Sequence, residues 1–298
     1  MAITGETNAL PNMLFLEEPA GPVTPAPVPG DGFRVFLAPS SGIGIGGSGT
    51  ITGTLSDDSI NVRDVPGTIM LDASFNRGGD VLRLAGLAQD WQIGRSGSNA
   101  TLDKGDTHVI VPVGQSLVII IDDDIRFLRF DSATGNMLIG DQIVDAVPAA
   151  IQSPPFDGNW LGPDVPNFNA VHRLFLSADS QTIVSANQII ISGTNEAEHV
   201  TFQIGKAVFD ASFNRGGDTL TLPANAADLV ASVTGSSVHL TSSTPSSHLD
   251  LTIPVGPVGL TLDFADGDRT LIYNEALGQF RIGDQVITGD PTALLTFA

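Results

Sequence analysis

The nine residues Asp72-Ala73-Ser74-Phe75-Asn76-Arg77-Gly78-Gly79-Asp80 occur a second time as Asp210-Ala211-Ser212-Phe213-Asn214-Arg215-Gly216-Gly217-Asp218. A perfect match of this length inside one chain marks a tandem duplication, and an internal repeat constrains the fold before any other signal. The match extends in both directions. Arg34-Val35-Phe36-Leu37 aligns with Arg173-Leu174-Phe175-Leu176, and Ile51-Thr52-Gly53-Thr54 with Ile191-Ser192-Gly193-Thr194. Val111-Pro112-Val113-Gly114 aligns with Ile253-Pro254-Val255-Gly256. The copies close on Ile139-Gly140-Asp141-Gln142 and Ile282-Gly283-Asp284-Gln285. The copies are read as residues 34–147 and 173–290, each the size of one domain with its own core. A duplicated module builds a surface more often than a single reaction centre.

Three segments lie outside the copies. Residues 1–33 hold six prolines, a density that favours extended polyproline II and forbids a helix. Residues 148–172 are a proline-rich connector carrying Trp160 and Phe168. Residues 291–298 form a short apolar tail.

The secondary structure expected is strand. Thr107-His108-Val109-Ile110-Val111, Leu117-Val118-Ile119-Ile120-Ile121 and Leu249-Asp250-Leu251-Thr252-Ile253 are alternating or short apolar runs. Turn residues bound each of them. Gly 33 and Pro 19 supply turns, while helix-favouring lysine is confined to Lys104 and Lys206. Residues 84–91 and 224–230 could each form a turn or two of helix. Arg126 and Arg129 cannot both face a core, so their run reads as an exposed or edge strand. Seven to nine short strands per copy predict an all-β protein of two tandem β-sandwich-like domains.

A formal charge of −20 disfavours nucleic acid and anionic membranes as partners. The absence of cysteine excludes disulfides and thiolate metal sites. No apolar run approaches the ~20 residues needed to span a bilayer, so no membrane insertion is expected. The N-terminus lacks the basic and apolar regions of a signal peptide.

Asp72, Asn76 and Asp80, with Asp210, Asn214 and Asp218, are the first site candidates. Their side chains are hard oxygen donors of the kind calcium accepts. They read equally as a turn whose Asp and Asn bond their own backbone. Asp122, Asp123 and Asp124 in one copy, and Asp263, Asp266 and Asp268 in the other, occupy corresponding stretches. Adjacent carboxylates are relieved by a cation, by Arg126 and Arg269 nearby, or by water. Calcium is therefore the one cofactor expected.

Gly44-Ile45-Gly46-Gly47-Ser48-Gly49 matches a dinucleotide fingerprint as a string, but no βαβ unit surrounds it. It reads as a flexible loop. The five histidines show no metal-ligand spacing, and no nucleophile motif is present. The chain is not expected to be an enzyme.

Asn214-Arg215-Gly216-Gly217-Asp218-Thr219-Leu220-Thr221-Leu222-Pro223, followed by Gly235-Ser236-Ser237-Val238 and Ile253-Pro254-Val255-Gly256, resembles a module repeated in large surface proteins. Gram-negative alphaproteobacteria export these by type I secretion, and many carry RTX or S-layer-like segments. The resemblance covers both copies. It implies an extracellular location and an uncleaved C-terminal export signal, to which Ala293-Leu294-Leu295-Thr296-Phe297-Ala298 is similar. The glycine-aspartate strings at residues 78–84 and 216–222 echo one partial RTX unit each. A β-roll needs many consecutive nonapeptides, so none is expected.

The function expected is a secreted structural protein that assembles with copies of itself into an extracellular filament or surface layer. The alternative is an adhesin that binds a cell-surface polysaccharide. Met13-Leu14-Phe15-Leu16 is an apolar patch on the N-terminal arm. It is expected to reach an edge or groove of a neighbouring subunit, with the prolines as spacer.

Overall fold

A computed structural model of the chain describes residues 32–75, 77, 79–122, 124–158, 167–242 and 248–296. Met13 to Leu16, Asn76, Asp123 and Trp160 lie outside the described residues. The protein is all-β. Among the described residues the only helical turns are two 3-10 turns, Ala88–Asp90 and Ala226–Asp228, where the sequence allowed a turn or two.

The first copy opens with β1 (Phe33–Phe36), β2 (Gly42–Gly47), β3 (Gly49–Thr52), β4 (Ser59–Val62), β5 (Gly67–Leu71) and β6 (Val81–Leu84). These alternate between two facing layers. In the first layer β1, β3 and β5 pair in parallel, Arg34 beside Thr50 and Thr50 beside Met70. In the second, β2, β4 and β6 do the same, with Ile43 beside Ile60 and Ile60 beside Leu82. Parallel neighbours need a crossover between them. Here each crossover is the strand of the opposite layer, so the chain winds as a flattened coil.

Antiparallel strands extend the coil. β7 (Gln92–Ser96), β8 (Asn99–Lys104) and β9 (Thr107–Pro112) form a meander, and β9 joins the first layer parallel to β5. β10 (Leu117–Ile121) joins the second layer beside β6 and continues into β11 (Asp124–Asp131), β12 (Asn136–Ile139) and β13 (Gln142–Ile143). β14 (Ala149–Ala150) closes on β7.

The second copy repeats this path with β15 (His172–Leu176), β16 (Gln181–Ser192), β17 (His199–Phe209), β18 (Thr219–Thr221), β19 (Leu229–Thr234) and β20 (Ser237–Ser242). It continues through β21 (Leu249–Pro254), β22 (Leu260–Phe264), β23 (Gly267–Asn274), β24 (Gln279–Ile282), β25 (Gln285–Ile287) and β26 (Thr292–Ala293). β16 and β17 each serve both layers. Val184 pairs with Phe202, the register shifts twice, and Ile189 then pairs with Ala207. Gly205 makes the shift possible: its φ is +112°, and a Cβ there would lie 1.7 Å from the Ala186 carbonyl oxygen.

The copies meet edge to edge through antiparallel pairs in both layers. In the first, β1 pairs with β15, placing Val35 opposite Leu174 and Arg34 opposite Phe175. In the second, β2 pairs with β16, placing Ile45 opposite Val184. Because equivalent residues exchange partners, the junction is a pseudo-two-fold axis. Each layer runs unbroken through both copies. One apolar core lies between the layers and holds Val35, Ile51, Ile69 and Leu82 of the first copy with Leu174, Ile191, Phe202 and Leu220 of the second.

The two facing layers agree with the sandwich-like expectation, but their central strands run parallel and wind as a roll, which the sequence reading did not expect. The expected seven to nine strands per copy also undercount the short elements. The equivalence reaches past residues 147 and 290. Gln142 bonds the backbone of Ala150, Gln152 and Ser153, and Gln285 bonds Ala293 and Leu295 in the same manner.

Two local expectations are overturned. The glycine string is not a loop: Gly44–Gly47 lie in β2 and are buried, and Gly49, partly buried, starts β3. Arg63 and Val65 cross over it so closely that a Cβ on Gly46 would lie 2.5 Å from Val65 Cγ2. The glycines are packing residues. Likewise β11 is no edge, since β10 and β12 flank it. Its Arg126 is 4% exposed and donates through Nε to the Ser153 carbonyl at 3.0 Å. The connector buries the guanidinium by supplying that acceptor.

Candidate functional site

The described start of the duplicated nonapeptide forms the same turn twice, over Asp72–Phe75 and Asp210–Phe213. Phe75 and Phe213 are fully buried beneath it, each contributing about 2–3 kcal/mol through its apolar area. Asp72 accepts the Ser74 N–H at 3.0 Å, and Asp210 accepts the Ser212 N–H at 2.9 Å. Both carboxylates also take the hydroxyl of that serine. Phe75 N–H and Phe213 N–H return to the carbonyls of Asp72 and Asp210. Burial pushes Asp210 up, but bonds from Ser192, Ser212 and the Phe213 N–H outweigh it and hold the carboxyl below its usual range. Here Asp72 and Asp210 act as turn residues, each satisfying its own backbone. Asn214 is buried and donates to the Pro254 carbonyl at 2.9 Å.

Asp80 and Asp218, at the other end of the repeat, belong to a different feature. They stack with Asp58 and Glu198 in a polar column at one corner of the coil. In the first copy the column is Ser41, Asp58 and Asp80: Ser59 N–H donates to the Ser41 carbonyl, Val81 N–H to Asp58 and Val118 N–H to Asp80. In the second it is Ser180, Glu198 and Asp218, with His199, Thr219 and Thr261 as donors. The carboxylates reinforce the column. Asp80 accepts the Asp58 N–H at 2.9 Å, and Asp218 accepts the Glu198 N–H at 2.8 Å. Thr54 donates its N–H to Asp58 at 2.6 Å, and Thr194 its N–H to Glu198 at 3.1 Å.

All four carboxyl groups are buried. Glu198 Oε2 and Asp218 Oδ2 are buried without a hydrogen-bond partner among the described residues, and each carboxyl affects the titration of the other. Burial pushes Glu198 up from 4.5 to about 7, Thr194 opposing and Asp218 adding to the rise. Asp218 rises through burial too, and burial raises Asp58 against its bonds from Thr54. Asp58 and Glu198 were not among the candidates read from the sequence. The signal was there: an acid stands four residues after the matched threonine in both copies.

Among the described residues, the remaining aspartates do not form a duplicated cluster. Asp122 accepts the Gly86 N–H at 3.2 Å, Asp124 is exposed, and Asp266 accepts the Ala226 N–H at 2.8 Å. Asp263 stands opposite Asp268 across β22 and β23, and the hydrogen bond between them raises Asp268. The same pair of positions in the first copy is Ile120 opposite Ile125. There Phe156 of the connector packs on Phe127, ring centroids 4.9 Å apart, above an apolar patch. Register, not sequence proximity, decides these equivalences. Among the described residues, no three Asp, Glu or His side chains gather as they would to hold a metal ion.

The outer face of the first layer carries a third feature, centred on the pseudo-two-fold axis. Phe36 and Phe175 are 45% and 41% exposed, and their rings meet edge to face at 5.9 Å. Arg34 lies opposite Phe175 and Arg173 opposite Phe36 across the central strand pair. Both arginines are exposed, and neither forms an ion pair among the described residues. Met70 on one side and Val208 on the other extend the apolar surface outward, both exposed.

No protein-family model matches the chain, and none of the curated proteins matches it in sequence.

Proposed function

We propose that the protein is a secreted structural subunit that assembles with copies of itself into an extracellular filament or surface layer. The observation that carries this reading is the exposed face around Phe36 and Phe175. Two large exposed aromatic rings meet on the outer face of the layer that joins the copies, and exposed apolar surface of this kind marks an interaction site. A subunit of charge −20 repels its own copies, which gives calcium a place as the counter-ion of assembly rather than as a ligand of one caged site. The absence of any nucleophile, base and metal constellation in the sequence supports a non-enzymatic role.

Negative-stain microscopy of the purified protein, in calcium and in chelator, tests the reading. Ordered polymers in calcium are expected. Monomers in both conditions would overturn it and favour the second reading, a polysaccharide-binding adhesin, for which the same exposed aromatic pair offers a stacking platform for sugar rings.

A further inference from the structure

The assembly reading leaves open what covers the exposed aromatic face, and the face itself limits the occupant. Its centre is apolar, with Phe36 and Phe175 in edge-to-face contact. Arg34 and Arg173 flank this centre, related by the pseudo-two-fold axis, exposed and without an ion pair among the described residues. A second copy laid face to face would set these arginines against their own counterparts, a like-charge contact that opposes docking. The occupant that fits is a short apolar segment ending in acid. The chain holds one: Met13-Leu14-Phe15-Leu16-Glu17-Glu18.

We infer that residues 13–18 of a neighbouring copy dock on this face. The apolar side chains cover Phe36 and Phe175, and Glu17 and Glu18 pair with Arg34 or Arg173. The inference rests on the assembly reading above and supplies its contact. The spacer argues for a neighbour rather than the same chain. Residues 19–32 carry five prolines, a composition that favours extended polyproline II at about 3.1 Å per residue. Gly32, the first described residue, lies two positions before Arg34. A spacer of that composition joined next to the docking face favours reaching another subunit over folding back on its own root. The sheet edges are poorer receivers. β13, β14 and β26 are two residues long and β25 is three, and edges this short blunt strand addition.

A photoreactive phenylalanine analogue at position 15 of the full chain tests this, in assemblies mixed from isotope-labelled and unlabelled protein. Crosslinks are expected between differently labelled copies, mapping to β1, β5, β15 or the second half of β17. Charge reversal is the second arm. Arg34→Glu with Arg173→Glu should raise the critical concentration for assembly about tenfold or more, and Glu17→Arg with Glu18→Arg in the same chain should restore it. Intramolecular crosslinks alone, crosslinks to the terminal edge strands, or assembly indifferent to the arginine reversal would overturn the docking site while leaving the assembly reading intact. A wild-type chain that stays monomeric would overturn the assembly reading itself and this inference with it.

Discussion

Val35 and Leu174 stand directly opposite one another in the antiparallel pair between β1 and β15, and each is the other's counterpart in the duplicated sequence. Both are fully buried. A residue paired with its own equivalent lies on a two-fold axis, the arrangement of an isologous dimer interface. Here the interface lies inside one chain and both layers pass through it.

Continuity through that axis predicts one cooperative unfolding transition. Leu174→Ala should cost about 2–5 kcal/mol and shift the unfolding of both copies together. Trp91, buried in the first copy, reports on that half in a Trp160→Phe background, while circular dichroism reports on the whole. Coincident transitions are expected, displaced equally by the substitution in the second copy. A Trp91 transition that Leu174→Ala leaves unmoved would show that the copies unfold independently.

Phe75 and Phe213 should be energetically equivalent, since the same turn covers both. Each Phe→Ala substitution is expected to destabilise by about 3–5 kcal/mol, measured from urea midpoints. A difference between them larger than about 2 kcal/mol would mean that the two turns are supported differently.

The Glu198–Asp218 pair should make stability fall as pH rises. Glu198 is raised from 4.5 to about 7 in the folded chain, so the folded state binds a proton that the unfolded state releases. The contribution is complete below about 4.5 and is lost between there and about 7. Glu198→Gln keeps the shape and one hydrogen bond without the charge. Compared with wild type, it should hold more of its pH 5 stability at pH 8, read from denaturant midpoints at the two values. An unchanged pH dependence would show that the pair carries no shared proton.

His172 should act in the opposite sense. It occupies the place of Phe33 at the pseudo-two-fold junction. Its Nδ1 accepts the Ala38 N–H at 3.3 Å, and its Nε2 donates to the Gly42 carbonyl at 3.1 Å. That pattern requires the neutral ring, and burial lowers its pKa from 6.5 to about 4 against the Gly42 bond. The unfolded chain takes up a proton that the folded one refuses, so stability falls as pH drops from about 6.5 to about 4. His172→Phe, which copies the other half, should abolish this acid loss, at a cost at neutral pH for the two backbone groups left unpaired. Melting temperatures at pH 4.5 and pH 7 measure it, and an acid loss of wild-type size in the variant would exclude His172 as the source.

The sequence alone determined the duplication and the all-β class, because identical strings with matching flanks must meet identical local physics. Turn chemistry is local, so Asp72 and Asp210 were legible as residues that bond the backbone two positions on. The tertiary structure decided what depends on partners distant in the chain. It made the glycine string a packed strand, because Arg63 and Val65 cross it. It buried Arg126 under the Ser153 carbonyl, and it put Asp263 and Asp268 where the first copy has Ile120 and Ile125. It also separated Asp72 from Asp80 in role, stacking Asp80 with Asp58 at a coil corner that no single stretch of sequence contains. Above all it joined the copies across Val35 and Leu174. Composition and periodicity specify which face of a strand is apolar, but which strand lies beside it is settled only when the backbone N–H and C=O groups of the whole layer find their partners.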